Sequence, residues 1–384
     1  MSSSSLLAGR RLWIAGIGGA GMSAYALLAR AWGAEVAGWD RVDTPYLAHL
    51  DGIDVTIAPD PPQPPKGWEV YVSTAFAGRV EGRPRADLLA ELVSLRRSIV
   101  VAGAHGKTTT SAMIAFCLDR LGLDPAFLIG GDIPQLGGNA RAGEGWLVVE
   151  GDESDRSVAA LRPEIAVLLN VDLDHHTTFA SRAEVEELFE EWLAHVPHVV
   201  RAEHIDPVDI ELAVPGEHNR RNAAAALAAL ALAGVDGAER VIGEFAGAGR
   251  RLQRHGDGLF DSYAHHPTEL AADIAAVRNG GRVLALFQPH LYSRTLYLAR
   301  EFAVALATAD AACVTGIYPA REEPVPGVTG RLIVDELARI RPGMLLGWAP
   351  SLEDAARIVR GWSRAGDTIL TLGAGDVDRV VDLL

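Results

Sequence analysis

Lysine is nearly missing from this chain: of 35 Lys and Arg residues, only Lys66 and Lys107 are lysines. Cysteine is as scarce, with Cys117 and Cys313 each inside an apolar stretch; that excludes a disulfide framework and fits a reducing compartment. An excess of positive charge is absent too. The formal charge of −15 excludes a broad grip on a nucleic-acid backbone, so a phosphorylated ligand needs a local cation. The longest apolar run, residues 223–235, is alanine-rich and too short to span a bilayer. The serines at 2–5, followed by Arg10 and Arg11, are not expected to form a cleavable leader. There is no fixed-period repeat, no Ser-His-Asp pattern and no CxxC pair. The expectation is a soluble, unprocessed, cytoplasmic protein without nucleic-acid or membrane partners, a monomer or weak homo-oligomer.

What the chain does contain is α/β patterning. Its 384 residues, 49% of them hydrophobic, can fill two or three cores. The first begins with an apolar strand at 12–17, a glycine turn at 18–21, a helix through Trp32 and a strand at 35–39, a βαβ opening. Prolines across 59–65 mark a surface loop. A second strand-to-helix turn begins at 98–102 and feeds a helix through Leu121, with further strands at 146–149 and 165–169. Residues 221–233 read as a buried alanine-rich helix that Gly234 ends. A third series places strands at 282–287, 311–315 and 368–372. Parallel sheets are the natural answer. The fold class expected is α/β in three domains: Rossmann-like over 1–97, a P-loop-type central domain over 98–236, and Rossmann-like over 237–384.

The sharpest motif is Gly103-Ala104-His105-Gly106-Lys107-Thr108-Thr109, at a strand end and opening a helix. There, backbone N–H groups and the helix dipole converge on a point where phosphate oxygens can rest. Lys107 would neutralise terminal phosphates and Thr108 would offer its hydroxyl to Mg²⁺. The loop is shorter than the usual phosphate-binding form, since position 101 is Val. A chain that otherwise uses arginine keeps a compact ammonium where a point charge is useful.

Gly16, Gly18 and Gly21, with Asp40 at the end of the next strand, match a dinucleotide fingerprint that suits NAD, FAD or the diphosphate of a UDP-sugar. The segment 150–155 holds Glu150, Asp152, Glu153 and Asp155, and 170–175 holds Asp172, Asp174 and His175. Both follow strands, where a carboxylate beside the Lys107 loop would complete a Mg²⁺ site. Tyr263, His265 and His266, and then His290 and Arg294, occupy loops beyond later strands. Adjacent histidines are metal ligands or orienting groups.

In this order the segments resemble the Mur ligases: 16–23, 102–110, 150–155, 215–219, 261–269, 287–295, 317–320 and 372–375. The resemblance spans all three units and both ends. It implies a UDP-sugar-binding domain, a central ATPase and a C-terminal domain that closes over ATP and brings the amino acid. The implied activity is an ATP- and Mg²⁺-dependent ligase in peptidoglycan precursor synthesis. It would activate the carboxylate of UDP-N-acetylmuramate as an acyl phosphate for attack by L-alanine; relatives that attach a preformed peptide to the same sugar, or bind nucleotide without catalysis, stand beside that reading. The family's roles fall on this chain as follows. Gly103 through Thr109 cradle the nucleotide, with His218, Asn219 and Asn222 by its adenine and Arg251 near it. Thr108, Glu150 and His175 hold the metal. Gly16, Gly18, Gly19, Gly21 and Asp40 meet the sugar nucleotide. Tyr263, His265 and Arg294 surround the amino acid and acyl phosphate, with Lys107, His265 and Arg294 as the catalytic set. The chain departs from the family pattern at Ala104 (usually Thr), Ser262 (usually an acid), Leu291 (usually Arg) and Thr177 (usually Asp). It is also short for the family between 192 and 214 and near 77–86.

Overall fold

The computed structural model describes residues 5–174, 178–320 and 322–384. Three sheets carry the chain, and each follows from alternating apolar strands and helices of the kind the sequence shows.

The first sheet comprises β1 (Arg11–Ala15), β2 (Glu35–Asp40), β3 (Asp54–Ile57), β4 (Glu69–Val72) and β5 (Arg83–Pro84), ordered β3-β2-β1-β4-β5. Every pairing is parallel. Helix α1 (Ala20–Ala31) follows β1, and α2 (Arg85–Ser94) follows β5. Leu12, Ile14 and Ala15 are fully buried, as a strand covered on both faces requires. Residues 58–65 contain no regular element, as their prolines predict.

The second sheet has the order β11-β10-β6-β9-β7-β8. Its strands are β6 (Ser98–Ala102), β7 (Ala126–Ile133), β8 (Gly138–Arg141), β9 (Leu147–Glu150), β10 (Ile165–Leu168) and β11 (His198–Arg201). Only the β7–β8 hairpin is antiparallel. Helix α3 (Lys107–Arg120) follows β6, and α4 (Arg182–Leu193) precedes β11. The alanine-rich helix α5 (Glu217–Leu232) begins four residues before the expected 221, which places His218, Asn219 and Asn222 in its first two turns.

The third sheet runs β12-β13-β17-β14-β15-β16, from β12 (Gln253–Gly256), β13 (Leu259–Ser262), β14 (Val283–Phe287), β15 (Ala311–Thr315), β16 (Leu345–Ala349) and β17 (Thr368–Leu372). Only β12–β13 is antiparallel. Helices α6 (Pro267–Ala276), α7 (Tyr292–Leu306), α8 (Arg331–Ile340) and α9 (Leu352–Trp362) complete it. One core, including Leu270, Phe287, Phe302 and Leu337, fills one face of this sheet, and a second, including Leu286, Cys313, Ala355 and Val359, fills the other.

The chain divides into two compact units. The first holds residues 1–172, 182–206 and 222–245, and so the first two sheets; the second holds 173–181, 207–221 and 246–384. Among the described residues, no helix is long and apolar enough to cross a membrane.

Candidate functional site

The Lys107 loop leaves the C-terminal end of β6, whose neighbours β10 and β9 lie on opposite sides. Such a switch point is where open α/β sheets bind ligands. Gly106 caps α3 at φ +83°, and a Cβ there would stand 2.5 Å from Asn222 Oδ1, so glycine alone fits. The loop is clamped by Asn170, whose Oδ1 accepts from the His105 N–H at 2.9 Å while its Nδ2 donates to the His105 carbonyl at 3.0 Å.

Lys107 Nζ donates to the Gly103 carbonyl at 2.6 Å, the Ala104 carbonyl at 3.2 Å and Glu153 Oε1 at 3.0 Å. Burial disfavours its charge, but the carboxylates of Glu153, Glu150 and Asp152 outweigh that and hold its pKa above the ordinary lysine value. Glu153 is only 3% exposed; burial pushes its carboxyl above the usual range against the pull of Lys107. Thr108 Oγ1 lies 3.0 Å from Glu150 Oε2, and the Gly130 N–H donates to the same oxygen at 2.8 Å. Thr109, next to Thr108 in the first turn of α3, is buried as well. His105 Nε2 stands 3.5 Å from Asp172. His175 lies outside the described residues.

In the same unit the glycine turn after β1 borders a cleft of about 340 Å³ whose walls include Gly16, Gly18, Gly19, Gly21, Asp40 and Arg85. Gly16 sits at φ +82°, and a Cβ there would meet Ser73 Oγ at 2.3 Å. Asp40 Oδ2 accepts from the Gly18 N–H at 2.8 Å, and Thr44 Oγ1 donates to the Gly18 carbonyl at 2.7 Å. Asp40, expected to meet a ribose, thus also shapes the turn itself.

The second unit gathers Tyr263, His265, His290 and Arg294. The Arg294 guanidinium grips Asp174 through Nε at 3.0 Å and Nη2 at 2.8 Å to both oxygens, and its Nη1 reaches His290 Nδ1 at 3.1 Å. His265 Nδ1 lies 3.0 Å from the Tyr263 carbonyl, and its ring meets those of Tyr263 and His290 edge-on. Burial lowers the His265 pKa to about 3, with Glu269 pulling the other way, so the ring is neutral. Arg250 and Arg251 stand 5.3 and 5.1 Å from the centre of the Tyr263 ring. His218 Nε2 lies 3.7 Å from Asp273; burial lowers its pKa and raises that of Asp273 to about 7. Asn219 is buried, and its Nδ2 donates to the Pro215 carbonyl at 2.6 Å. Ser262, where the family pattern has an acid, donates to Asp273 Oδ2.

The profile of the Mur ligase middle domain matches residues 101–202, and that of the Mur ligase, glutamate ligase domain matches 250–375. The UDP-N-acetylmuramate–L-alanine ligase of Streptomyces coelicolor is 38% identical, with 94% of each chain covered. That of Rubrobacter xylanophilus is 37% identical, covering 95% of this chain and 97% of its own. The chain belongs to the Mur ligase family. Among solved structures, the UDP-N-acetylmuramate–alanine ligase of Thermotoga maritima superposes with a TM-score of 0.76 at 24% identity, over 97% of both chains; this supports the three-sheet α/β fold. The Streptomyces coelicolor alignment runs over 444 positions against the 384 residues here, so that Mur ligase carries segments this one lacks.

Sequence reasoning placed Glu150, Glu153 and Asp174 in acidic clusters without their partners. It missed Arg85 and Asp273. Arg85 is one arginine among many at the start of a helix, and its contacts lie 67 and 70 residues away. Asp273 reads as an ordinary helical acid, and only packing shows that it is buried.

Proposed function

We propose that this chain is an ATP-dependent ligase that joins L-alanine to UDP-N-acetylmuramate through an acyl phosphate, in peptidoglycan precursor synthesis in the cytoplasm. The observation that carries the reading is Lys107, held at the head of α3 among carbonyls and carboxylates, where a triphosphate supplies a better partner for its charge. Relatives that are 36–38% identical over nearly the whole chain bear the name of this activity. The proposal gives the sugar nucleotide to residues 1–97, ATP to 98–236 and the amino acid to 237–384, in a monomer or weak homo-oligomer.

In the first step a carboxylate oxygen of the sugar attacks the γ-phosphorus and ADP leaves; in the second the alanine nitrogen attacks the acyl carbon, phosphate leaves and the amine gives up a proton. Little covalent help is needed from the protein, so positioning and charge neutralisation dominate. The hydroxyl of Thr108 and the carboxylate of Glu150, 3.0 Å apart, would hold Mg²⁺ as hard oxygen ligands, with His175 of the family pattern as a third ligand; the ion would neutralise phosphoryl oxygens. Gly103, Ala104, His105, Gly106 and Thr109 line the phosphates, and His218, Asn219, Asn222 and Arg251 serve the nucleotide. Gly16, Gly18, Gly19, Gly21 and Asp40 take the sugar nucleotide. Tyr263, His265 and Arg294 serve the amino acid and acyl phosphate. The neutral His265 ring offers a hydrogen-bond acceptor that orients the incoming amine, and Arg294, already aligned by Asp174, offers charge to an acyl phosphate.

The test is phosphate release from ATP with UDP-N-acetylmuramate and, separately, L-alanine, glycine, L-serine or a preformed tripeptide. Release with L-alanine is expected. Release with tripeptide alone would transfer the reading to peptide attachment, and release with none would end it. Leu291, which offers no carboxylate-binding cation, predicts weaker binding of every α-amino acid than an arginine there would give.

A further inference from the structure

The last residue of β9 and the loop after it carry four carboxylates within six residues, and they face two different places. Glu150 and Glu153 serve Thr108 and Lys107. Asp152 and Asp155 serve Arg85, the first residue of α2 and a wall of the glycine-turn cleft. The guanidinium is divided the same way. Its Nη2 reaches Asp152 Oδ2 at 3.0 Å and Asp155 Oδ2 at 2.6 Å, and Nε reaches Asp155 at 3.1 Å. Its Nη1 is left to Tyr25 Oη at a loose 3.5 Å, and lies 3.8 Å from where a Cβ on Gly21 would stand. One edge of the guanidinium is therefore tied down and the other offered to the cleft. The loop is itself taut: Asp152 Oδ1 accepts from the Ser154 N–H at 2.9 Å and Asp155 Oδ1 from the Ser157 N–H at 3.0 Å.

We propose that Arg85 is a positioning residue that couples the two sites: a diphosphate in the glycine-turn cleft takes Nη1, and the aspartates on the other edge pass that restraint to the loop that sets Glu153 and Glu150 beside Lys107 and Thr108. Each ligand then finds the other's site already ordered. The sign of the coupling is positive, and by linkage each raises the other's affinity by the same factor. A planar guanidinium can serve both edges at once, whereas an ammonium cannot. This inference rests on the sugar-nucleotide reading of the cleft.

Calorimetric titration of UDP-N-acetylmuramate into the full chain, with and without a saturating non-hydrolysable ATP analogue and Mg²⁺, tests it. The wild type is expected to bind the sugar nucleotide about fivefold or more tightly when the analogue is present. In Asp155→Asn and in Arg85→Lys that ratio falls toward one, while the analogue's affinity measured alone stays within about threefold of wild type. A merely structural role would lower thermal stability and both affinities without touching the ratio. A wild-type ratio of one, or an unchanged ratio in both folded variants, overturns the coupling; Asp152→Asn replaces either variant that fails to fold. ADP formation by the wild type with both substrates, measured in parallel, separates the two failures. Turnover with no coupling sinks this inference alone, and the absence of sugar-nucleotide binding sinks it together with the functional reading.

Discussion

Removing the Lys107 ammonium should damage the fold as well as the chemistry, and the two losses are separable. In Lys107→Ala, Glu153, 3% exposed, loses the cation 3.0 Å away, and the Gly103 and Ala104 carbonyls lose a donor. Breaking a buried pair from one side costs about 3–5 kcal/mol. The lower end applies here, because burial already pushes the Glu153 pKa up and the orphaned carboxyl escapes its penalty by taking a proton. About 3 kcal/mol corresponds to a fall in Tm of roughly 6–12 °C for a unit of this size. The pH dependence has a fixed sign. A carboxyl whose folded pKa exceeds its unfolded one contributes stability that is complete below the unfolded value and is lost as pH rises through the folded one. The deficit of Lys107→Ala relative to wild type should therefore be smaller at pH 5 than at pH 8. The double variant Lys107→Ala/Glu153→Gln should regain most of the stability while ADP formation stays at least about 100-fold down, since no charge meets the phosphates. Scanning calorimetry and a coupled ADP assay give both readings. A Tm loss under about 2 °C, or a double variant no more stable than the single one, would refute the buried-pair argument.

Glu150→Ala should raise the Mg²⁺ concentration for half-maximal turnover by about tenfold or more, whereas an unaltered Mg²⁺ titration would move the metal elsewhere. Asp273, with a folded pKa of about 7, takes stability away as pH rises from about 4, its unfolded value, through 7; Asp273→Asn should remove that slope, so a Tm that falls equally in both proteins between pH 5 and 8 would contradict its burial. Gly16→Ala forces a Cβ to within 2.3 Å of Ser73 Oγ at a left-handed φ, and should cost about 1–3 kcal/mol of stability and weaken sugar-nucleotide binding measured by titration, with the ATP analogue unaffected.

The order of strands and helices was legible because apolar runs and glycine turns report local structure. Thus 311–315 and 368–372 coincide with β15 and β17. Strands such as β12, whose Gln-Arg-His-Gly has no apolar run, and β16, whose short apolar run Leu-Leu-Gly-Trp-Ala is broken by a glycine and leaves Leu345 and Trp348 exposed, were not legible. The turn ahead of α3 was legible for another reason: its glycines and lysine stand in the fixed local spacing that a phosphate-binding role would demand. Asp174 beneath Arg294, and Arg85 astride Asp152 and Asp155, join residues far apart in the chain. Nothing in the local pattern distinguishes such charges from solvated ones, and only the packed sheets bring them together.

The scarcity of lysine has a practical corollary. Besides its α-amino group the chain carries two primary amines, one on Lys66 in an exposed proline-rich loop and the other on Lys107. Acylating reagents followed by peptide mass spectrometry would thus supply an internal standard and a reporter in the same molecule. The tag on the first should form at a constant rate, while the second, held as an ammonium against Glu153, should resist it, so that labelling of Lys107 would register loss of that pair without any engineered probe.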